Sequence, residues 1–233
     1  ESQAPSLMIG DVQNNPYQPN LYYRGFISSP LLGAPQGLSV FQDGVRINEP
    51  FGDVVNYDLI PTNAISNATL MSGSNPLFGL NTLGGSLSLR TKSGNDYPGI
   101  DSSVLTGSWG RTKVDFANGG KSGNLDYFFA GSFFEEDGWR DYSPSDVKQG
   151  FFKIGWENDL TDFDLSYVNA NSDLIGNGVL PVSMANQRRS QAYTIYDQTT
   201  NHLDMAILNG SHMVSDNYLL SGVAYWRGNT TTT

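Results

Sequence analysis

The sequence predicts a mostly β protein, in which a small β-rich globule is followed by an incomplete antiparallel transmembrane β-barrel of about seven strands. Residues 21–94 contain short apolar runs that glycine, proline, asparagine or aspartate interrupts every few residues, which is typical of a compact, loop-rich β domain. From residue 99 onward the runs are longer, and apolar and polar residues alternate at the period of a β-strand. The later turns are short and long in alternation, as in outer-membrane barrels.

The composition and the ends of the sequence narrow the class of protein. The 233 residues carry a net charge of −10, which argues against a nucleic-acid-binding surface. There is no cysteine, so we expect neither a disulfide nor a closed zinc site. No basic segment precedes an apolar core and the first residue is Glu1, so we expect that an N-terminal part is missing. The longest apolar run has about eight residues, whereas a membrane-spanning helix needs about 20.

Within the globule, the clearest local prediction is a β-hairpin. Asp43-Gly44 separates the alternating runs 38–40 and 45–47. This dipeptide favours a type I′ turn, because both central residues of that turn need a positive φ. Further strands are predicted at 68–71 and 86–91. The double glycine 84–85 allows backbone conformations that other residues avoid and the close approach of another segment.

The second part of the chain predicts seven strands, whose lengths suit tilted membrane strands of about 9–11 residues. Phe152, Ile154 and Trp156 share one face, and Leu203, Met205 and Ile207 share another. We interpret both sets as apolar faces directed toward lipid, with the polar faces directed inward. The predicted strands are residues 100–109, 112–119, 125–137, 147–158, 162–174, 201–213 and 217–229.

Four segments between residues 24 and 92 follow one another in an order that is typical of one family. They are Arg24-Gly25-Phe26, the hairpin VFQDGV at 40–45, the glycine-bounded segment 73–85 and LSLRTK at 87–92. In this order they resemble the plug domain of the TonB-dependent outer-membrane receptors. Phe78 stands where that family usually has tyrosine, and residues 80–83 are additional. A TonB box is not recognisable in residues 1–20.

The resemblance implies a domain organisation. Residues 1–94 would be an N-terminally truncated plug domain, and residues 95–233 the first part of the receptor barrel. Plugged transporters have about 22 strands, so we expect this chain to be a fragment of such a protein.

The resemblance also implies a function, which is active transport across the outer membrane of a Gram-negative bacterium. Such a receptor takes up a scarce ligand, often a ferric siderophore and sometimes cobalamin or a glycan, with energy relayed by TonB. We therefore expect no enzyme activity and no cofactor. The expected partners are a small-molecule or metal-chelate ligand, TonB with its inner-membrane complex, and outer-membrane lipid, but no nucleic acid.

In this family the ligand binds on the external face of the plug, which points to the loops 28–34, 48–56 and 75–81. Loops held by a rigid scaffold often carry function, although ordinary loop packing is the alternative for each residue. A charge inside a lumen must be paired, so we expect Arg24 to make a plug–barrel contact with a carboxylate of the wall. The candidate ligand-binding residues are Ser29, Leu31, Asn48, Phe51, Asp53, Asn56, Asn75, Phe78 and Asn81.

Two other functions remain open from the residues alone. A secreted β-sandwich adhesin or glycan-binding module would also explain the alternation, but its strands would have a polar outer face instead of an apolar band. A hydrolase on a β scaffold is less well supported. The adjacent carboxylates at 135–137 have no base at a fixed spacing, and His202 and His212 do not form a spaced metal motif.

Overall fold

A computed structural model describes residues 6–11, 13–74, 78–195 and 197–233. Strands β1–β7 and the turns between them form an inner domain, and strands β8–β14 form one curved sheet that we call the wall. The strands are β1 (Leu7–Gly10), β2 (Asn20–Tyr23), β3 (Phe26–Ser28), β4 (Leu38–Gln42), β5 (Val45–Arg46), β6 (Ile65–Ser72), β7 (Gly85–Thr91), β8 (Gly99–Thr106), β9 (Thr112–Ser122), β10 (Leu125–Glu136), β11 (Ser145–Glu157), β12 (Thr161–Ile175), β13 (Gln198–Ser215) and β14 (Tyr218–Thr232).

Helical structure is limited to short segments. Two 3₁₀ turns, Tyr57–Leu59 and Thr62–Ala64, precede β6, and one short helix, α1 (Val182–Gln187), lies in the longest loop. Within the described ranges, no helix has the length and apolar character that crossing a bilayer would require.

The inner domain contains two small sheets, in the orders β1-β2-β3 and β5-β4-β7-β6. The predicted hairpin is confirmed, because β4 and β5 pair around Asp43 and Gly44, whose φ values are 46° and 86°. The strands predicted at 68–71 and 86–91 correspond to β6 and β7. The structure adds that β4 and β7 pair in parallel, which places Val40 beside Leu87.

The wall is an antiparallel sheet in which each strand pairs with its neighbours in sequence, in the order β14 to β8. All seven predicted strands are present, and the sheet does not close on itself, so the prediction of an incomplete barrel is confirmed. The outer face of β11 and β12 is apolar as predicted, since Phe152 is 45 % and Leu165 is 47 % exposed. On the inner face of β11, Phe151 and Lys153 are buried.

The predicted direction of one face of β13 is wrong. Leu203, Met205 and Ile207 do not point toward lipid but are buried, at 3, 1 and 1 % exposure, in the core that the wall shares with the inner domain. Here the lumen contains the apolar core of the inner domain instead of water, so an apolar residue is stable on the inward face. The outward neighbours His202 and Asp204 bond to each other, with 3.0 Å between Nε2 and Oδ2.

Candidate ligand-binding site

A cavity of about 500 Å³ separates the inner domain from β13 and β14 at the end of the wall that carries the longest loop, residues 176–197. Two loops of the inner domain form one side, and residues near the ends of the two strands form the other. The lining residues are Pro30, Leu32, Glu49, Pro50, Phe51, Val54, Asn56, Thr199, Asn229, Thr231 and Thr233.

The cavity has an apolar side and a polar side. Leu32 and Phe51 are 52 % and 78 % exposed, which is high for large apolar side chains. Asn56 of the inner domain and Asn229 and Thr231 of the wall supply neutral donors and acceptors. Small-molecule sites are typically clefts of about 300–1,000 Å³ with apolar walls and a few placed polar groups. The cavity therefore has the size and chemistry of a small-molecule site.

A partly buried ion pair between the inner domain and the wall lies beside the cavity. Arg227 on β14 holds the carboxylate of Glu49 with two bonds, Nη2 to Oε1 at 2.5 Å and Nη1 to Oε2 at 3.0 Å. Asn229 Nδ2 also donates to Glu49 Oε1, over 2.8 Å. The side chains of Arg227 and Glu49 are only 13 % and 12 % exposed. This paired arrangement fixes the loop that carries Phe51 to the wall.

A second buried acid, Asp58, lies in the 3₁₀ turn that follows this loop. Ser172 Oγ and Asn201 Nδ2, both from the wall, donate to Asp58 Oδ2 over 2.5 and 2.8 Å. Gln149 Nε2 donates to the carbonyl oxygens of Asp58 and Ile60 over 2.6 and 3.0 Å. Burial raises the pKa of Asp58 above its ordinary value of 3.8, although the bonds from Ser172 and Asn201 oppose the shift. The wall therefore holds this turn mainly through neutral donors.

The raised pKa of Asp58 predicts a pH dependence. The folded protein binds more protons than the unfolded chain between pH 3.8 and the raised folded-state pKa, so we expect the stability that depends on Asp58 to fall as pH rises across that window. Urea unfolding of the full-length protein in detergent, between about pH 4 and pH 8, measures this slope. Asp58→Asn is expected to flatten it, and an equal slope in both proteins would contradict the assignment.

At the other end of the wall, where the turns are short, a third contact joins the two parts. Lys153 Nζ on β11 lies 3.7 Å from Asp43 Oδ2 in the β4–β5 turn, and both side chains are 6 % exposed. Asp43 also accepts the backbone N–H of Thr91 over 2.9 Å. The inner domain is thus tied to the wall at both ends of the sheet.

The structure places the predicted ligand-binding residues in different environments. Phe51 and Asn56 line the cavity. Asn48 is buried, and its amide bonds the backbone of β4, accepting from Val40 N and donating to Leu38 O. Ser29 is also buried and donates to Asn20 Oδ1 over 2.6 Å. These last two residues stabilise the loops instead of facing the cavity.

Leu31, Asp53, Phe78 and Asn81 do not line the cavity. Leu31 accepts a bond from Gln36 through its carbonyl oxygen. Asp53 pairs with Arg46 at 2.6 Å and accepts from Asn81 over 2.6 Å, and Phe78 packs on Phe41 with 6.0 Å between ring centroids. Asn75 lies outside the described residues.

Arg24 lies in the exposed β2–β3 turn, where its guanidinium is 5.2 Å from the centre of the Tyr23 ring. It has no ion pair among the residues that the structure describes, and its contact with a carboxylate of the wall stays a prediction. In the ion pairs that do join the two parts, the signs are reversed relative to that prediction. The inner domain supplies the acids, Glu49 and Asp43, and the wall supplies the bases, Arg227 and Lys153.

Sequence reasoning missed the contribution of the wall to the site. Thr199, Asn229 and Thr231 line the cavity, and Arg227 holds it together. A signal was present, because Arg227 and Asn229 are polar residues at alternate positions of a predicted strand, and the inward face of a barrel is polar. Over the described ranges, no group of three or more histidine, aspartate or glutamate residues is placed to hold a metal ion.

Comparison with known proteins identifies the N-terminal part of the chain and relates its fold to solved structures. Residues 2–86 match the family model described as the TonB-dependent Receptor Plug Domain. The chain is similar to the unliganded ferric citrate transporter FecA, with a TM-score of 0.77 and 13% identity over 97% of this chain and 36% of that one. It is also similar to the siderophore receptor PiuA from Acinetobacter baumannii (TM-score 0.71, 17% identity, 97% and 32%) and to the copper transporter OprC (0.68, 15%, 96% and 33%).

At these identities the solved structures show a common fold, and the chain spans about a third of the length of each of them. The family model describes a receptor plug domain, and two of these neighbouring structures are named as transporters. The inner domain contains the part that the family model matches, and the wall is the open sheet β8–β14. Residues 2–86 therefore match the plug domain of the TonB-dependent receptors, and the chain as a whole shares the fold of the solved ferric citrate transporter.

Proposed function

We propose that this chain is part of an outer-membrane active-transport receptor that takes up a scarce ligand, such as a ferric siderophore, with energy relayed by TonB. The observation that carries the proposal is the cavity between the plug-like inner domain and the wall, lined by Phe51 and Leu32 on one side and by Asn229 and Thr231 on the other. The names of the similar structures, a ferric citrate transporter and a siderophore receptor, support a chelated iron ligand. The copper transporter OprC supports metal uptake more broadly.

The proposed mechanism is gated access without covalent chemistry. The ligand binds in the cavity by burying its apolar surface against Phe51 and Leu32. It does not pass while the inner domain remains in place, because the wall and the inner domain share one apolar core. Passage therefore needs work against that core and against the Glu49–Arg227 pair, and in this proposal TonB supplies that work. We also propose the outer membrane as its location and residue 94 as the boundary between the plug and the barrel.

The β-sandwich alternative does not fit the fold. The seven later strands form one sheet whose inner face covers the inner domain, and its outer face exposes Phe129, Phe152 and Leu165. A continuous apolar outer face is the feature that separates a membrane barrel from a soluble sandwich.

Phe51→Ala tests the proposed site. We expect the affinity for the transported ferric chelate to fall by about tenfold or more, because large aromatic side chains dominate such contacts. The measurement is uptake of radioactive iron by cells that carry the full-length protein as their only receptor, supplied in turn with ferric citrate and with hydroxamate and catecholate siderophores.

Phe152→Ala is the matched control, since this phenylalanine is on the outer face of the wall and away from the cavity. It is expected to leave uptake unchanged. If none of these ferric chelates is taken up, the proposed ligand class is wrong. If both variants lower uptake equally, the proposed site is wrong.

A further inference from the structure

A chain of hydrogen bonds runs from the edge of the cavity into the buried contact between the inner domain and the wall. Thr231 Oγ1 donates to Asn201 Oδ1 over 2.7 Å. Asn201 Nδ2 in turn donates to Asp58 Oδ2 over 2.8 Å. Thr231 is exposed, whereas Asn201 and Asp58 are only 2 % and 1 % exposed. This series of hydrogen bonds therefore begins at a side chain that a ligand can reach and ends at a side chain that water cannot reach.

The same threonine is joined to the ion pair on the other side. Asn229 Nδ2 donates to Thr231 Oγ1 over 3.4 Å and to Glu49 Oε1 over 2.8 Å. The hydroxyl of Thr231 thus stands between the two acids of the inner domain, Glu49 and Asp58, that the wall holds. Every link between these acids comes from the wall, on β13 or β14.

Asp58, at the buried end of this series of hydrogen bonds, is sensitive to the loss of one donor. Asp58 Oδ2 has only Ser172 and Asn201 as side-chain donors, and Oδ1 has no hydrogen-bond partner among the described residues. A buried polar group that loses its partner is destabilised, and the loss is larger if the group is charged. Asn201 is oriented by Thr231, since its Oδ1 accepts the hydroxyl hydrogen. The geometry therefore makes the Asn201 bond, which is one of the two side-chain bonds to Asp58 Oδ2, depend on the hydroxyl hydrogen of Thr231.

We propose that Thr231 and Asn201 are positioning residues that couple the ligand cavity to the anchorage of the inner domain. A hydroxyl has a single hydrogen to donate. When a ligand oxygen accepts the hydroxyl hydrogen of Thr231, Asn201 loses its hydrogen bond from Thr231. Asn201 then releases Asp58, and the wall holds the turn at 57–59 less firmly. The ligand class is one that presents oxygen acceptors at the cavity edge. The inference rests on the proposed function, but the coupling is a property of the protein without ligand.

Thr231→Val reproduces the loss of that hydrogen without any ligand, because valine keeps the shape and lacks the hydroxyl. In the full-length protein in detergent, we expect the amides of Leu59 and Ile60 to exchange hydrogen about three- to tenfold faster, as the loss of one hydrogen bond predicts. Thr231→Ser keeps the hydroxyl and is expected to restore the rate. Thr230→Val is the control, since Thr230 pairs with His202 on the outward face of β14. Unchanged exchange in Thr231→Val would overturn the proposal.

A double-mutant cycle separates coupling from simple packing. If Thr231 acts through Asn201, Thr231→Val has no further effect on exchange at Leu59 in the Asn201→Ala variant. Additive effects overturn the coupling, whether or not iron uptake is intact. Conversely, a protein that shows the coupling but transports no ferric chelate overturns only the proposed function.

Discussion

Replacing Arg227 by alanine is expected to destabilise the folded protein by about 3 kcal/mol, near the low end for buried pairs, because removal of one partner leaves the partly buried charge of Glu49 without its counter-ion. Glu49 would keep the bond from Asn229 at 2.8 Å, which limits the loss. Urea unfolding of the full-length protein in detergent measures the loss. Hydrogen exchange at residues 48–60 locates it, since that segment is expected to open first.

Two further variants make this prediction specific. The double variant Glu49→Ala/Arg227→Ala is expected to be less destabilised than Arg227→Ala alone, because no unpaired charge remains. Lys148→Ala is the surface control, since the pair of Lys148 with Asp146 at 3.1 Å is on the exposed side of the wall. Exposed pairs contribute about 0–1 kcal/mol. A loss of the same size for Lys148→Ala and Arg227→Ala would show that burial of the pair does not matter.

Ile207→Ala is expected to cost about 2–5 kcal/mol, as large-to-small changes in a packed core do. Ile207 is 1 % exposed and belongs to the core that contains Val55 and Leu59 of the inner domain. The next residue in β13, Leu208, is 45 % exposed on the outer face. Leu208→Ala is therefore expected to have a small effect on stability in detergent.

The comparison of these two adjacent residues tests which face of β13 packs against the inner domain. Thermal unfolding of both variants in the same detergent gives the order of stability. If Leu208→Ala were the more destabilising change, the inward direction of Leu203, Met205 and Ile207 would be wrong.

Much of the fold was predictable because its signals are local. The β4–β5 turn follows from Asp43-Gly44, whose residues tolerate the positive φ that the turn requires. The seven strands of the wall follow from alternation and from the turns between them, and each predicted strand lies within a few residues of an observed one. The outward direction of Phe152 on β11 and of Leu165 on β12 was also predictable, because apolar and polar residues alternate along these strands.

Less of the site was predictable. The loops at 28–34 and 48–56 were identified, and Leu32, Phe51 and Asn56 from these loops line the cavity. The residues of the wall that complete the site were not identified, because the Glu49–Arg227 contact joins residues that are 178 positions apart. The alternation of a strand shows which residues share a face but not what that face meets.

By itself, the sequence determined the β class, the change from short to long strands and the hairpin, since turn chemistry and strand period act between near neighbours. Only the tertiary structure decided that Leu203, Met205 and Ile207 point inward and that Glu49 and Asp58 are held by Arg227, Asn201 and Ser172. The physical reason is that burial is set by whatever fills the lumen. An apolar side chain is stable on either face of the wall, toward lipid or toward the core of the inner domain, and only the docking of that domain selects one of them.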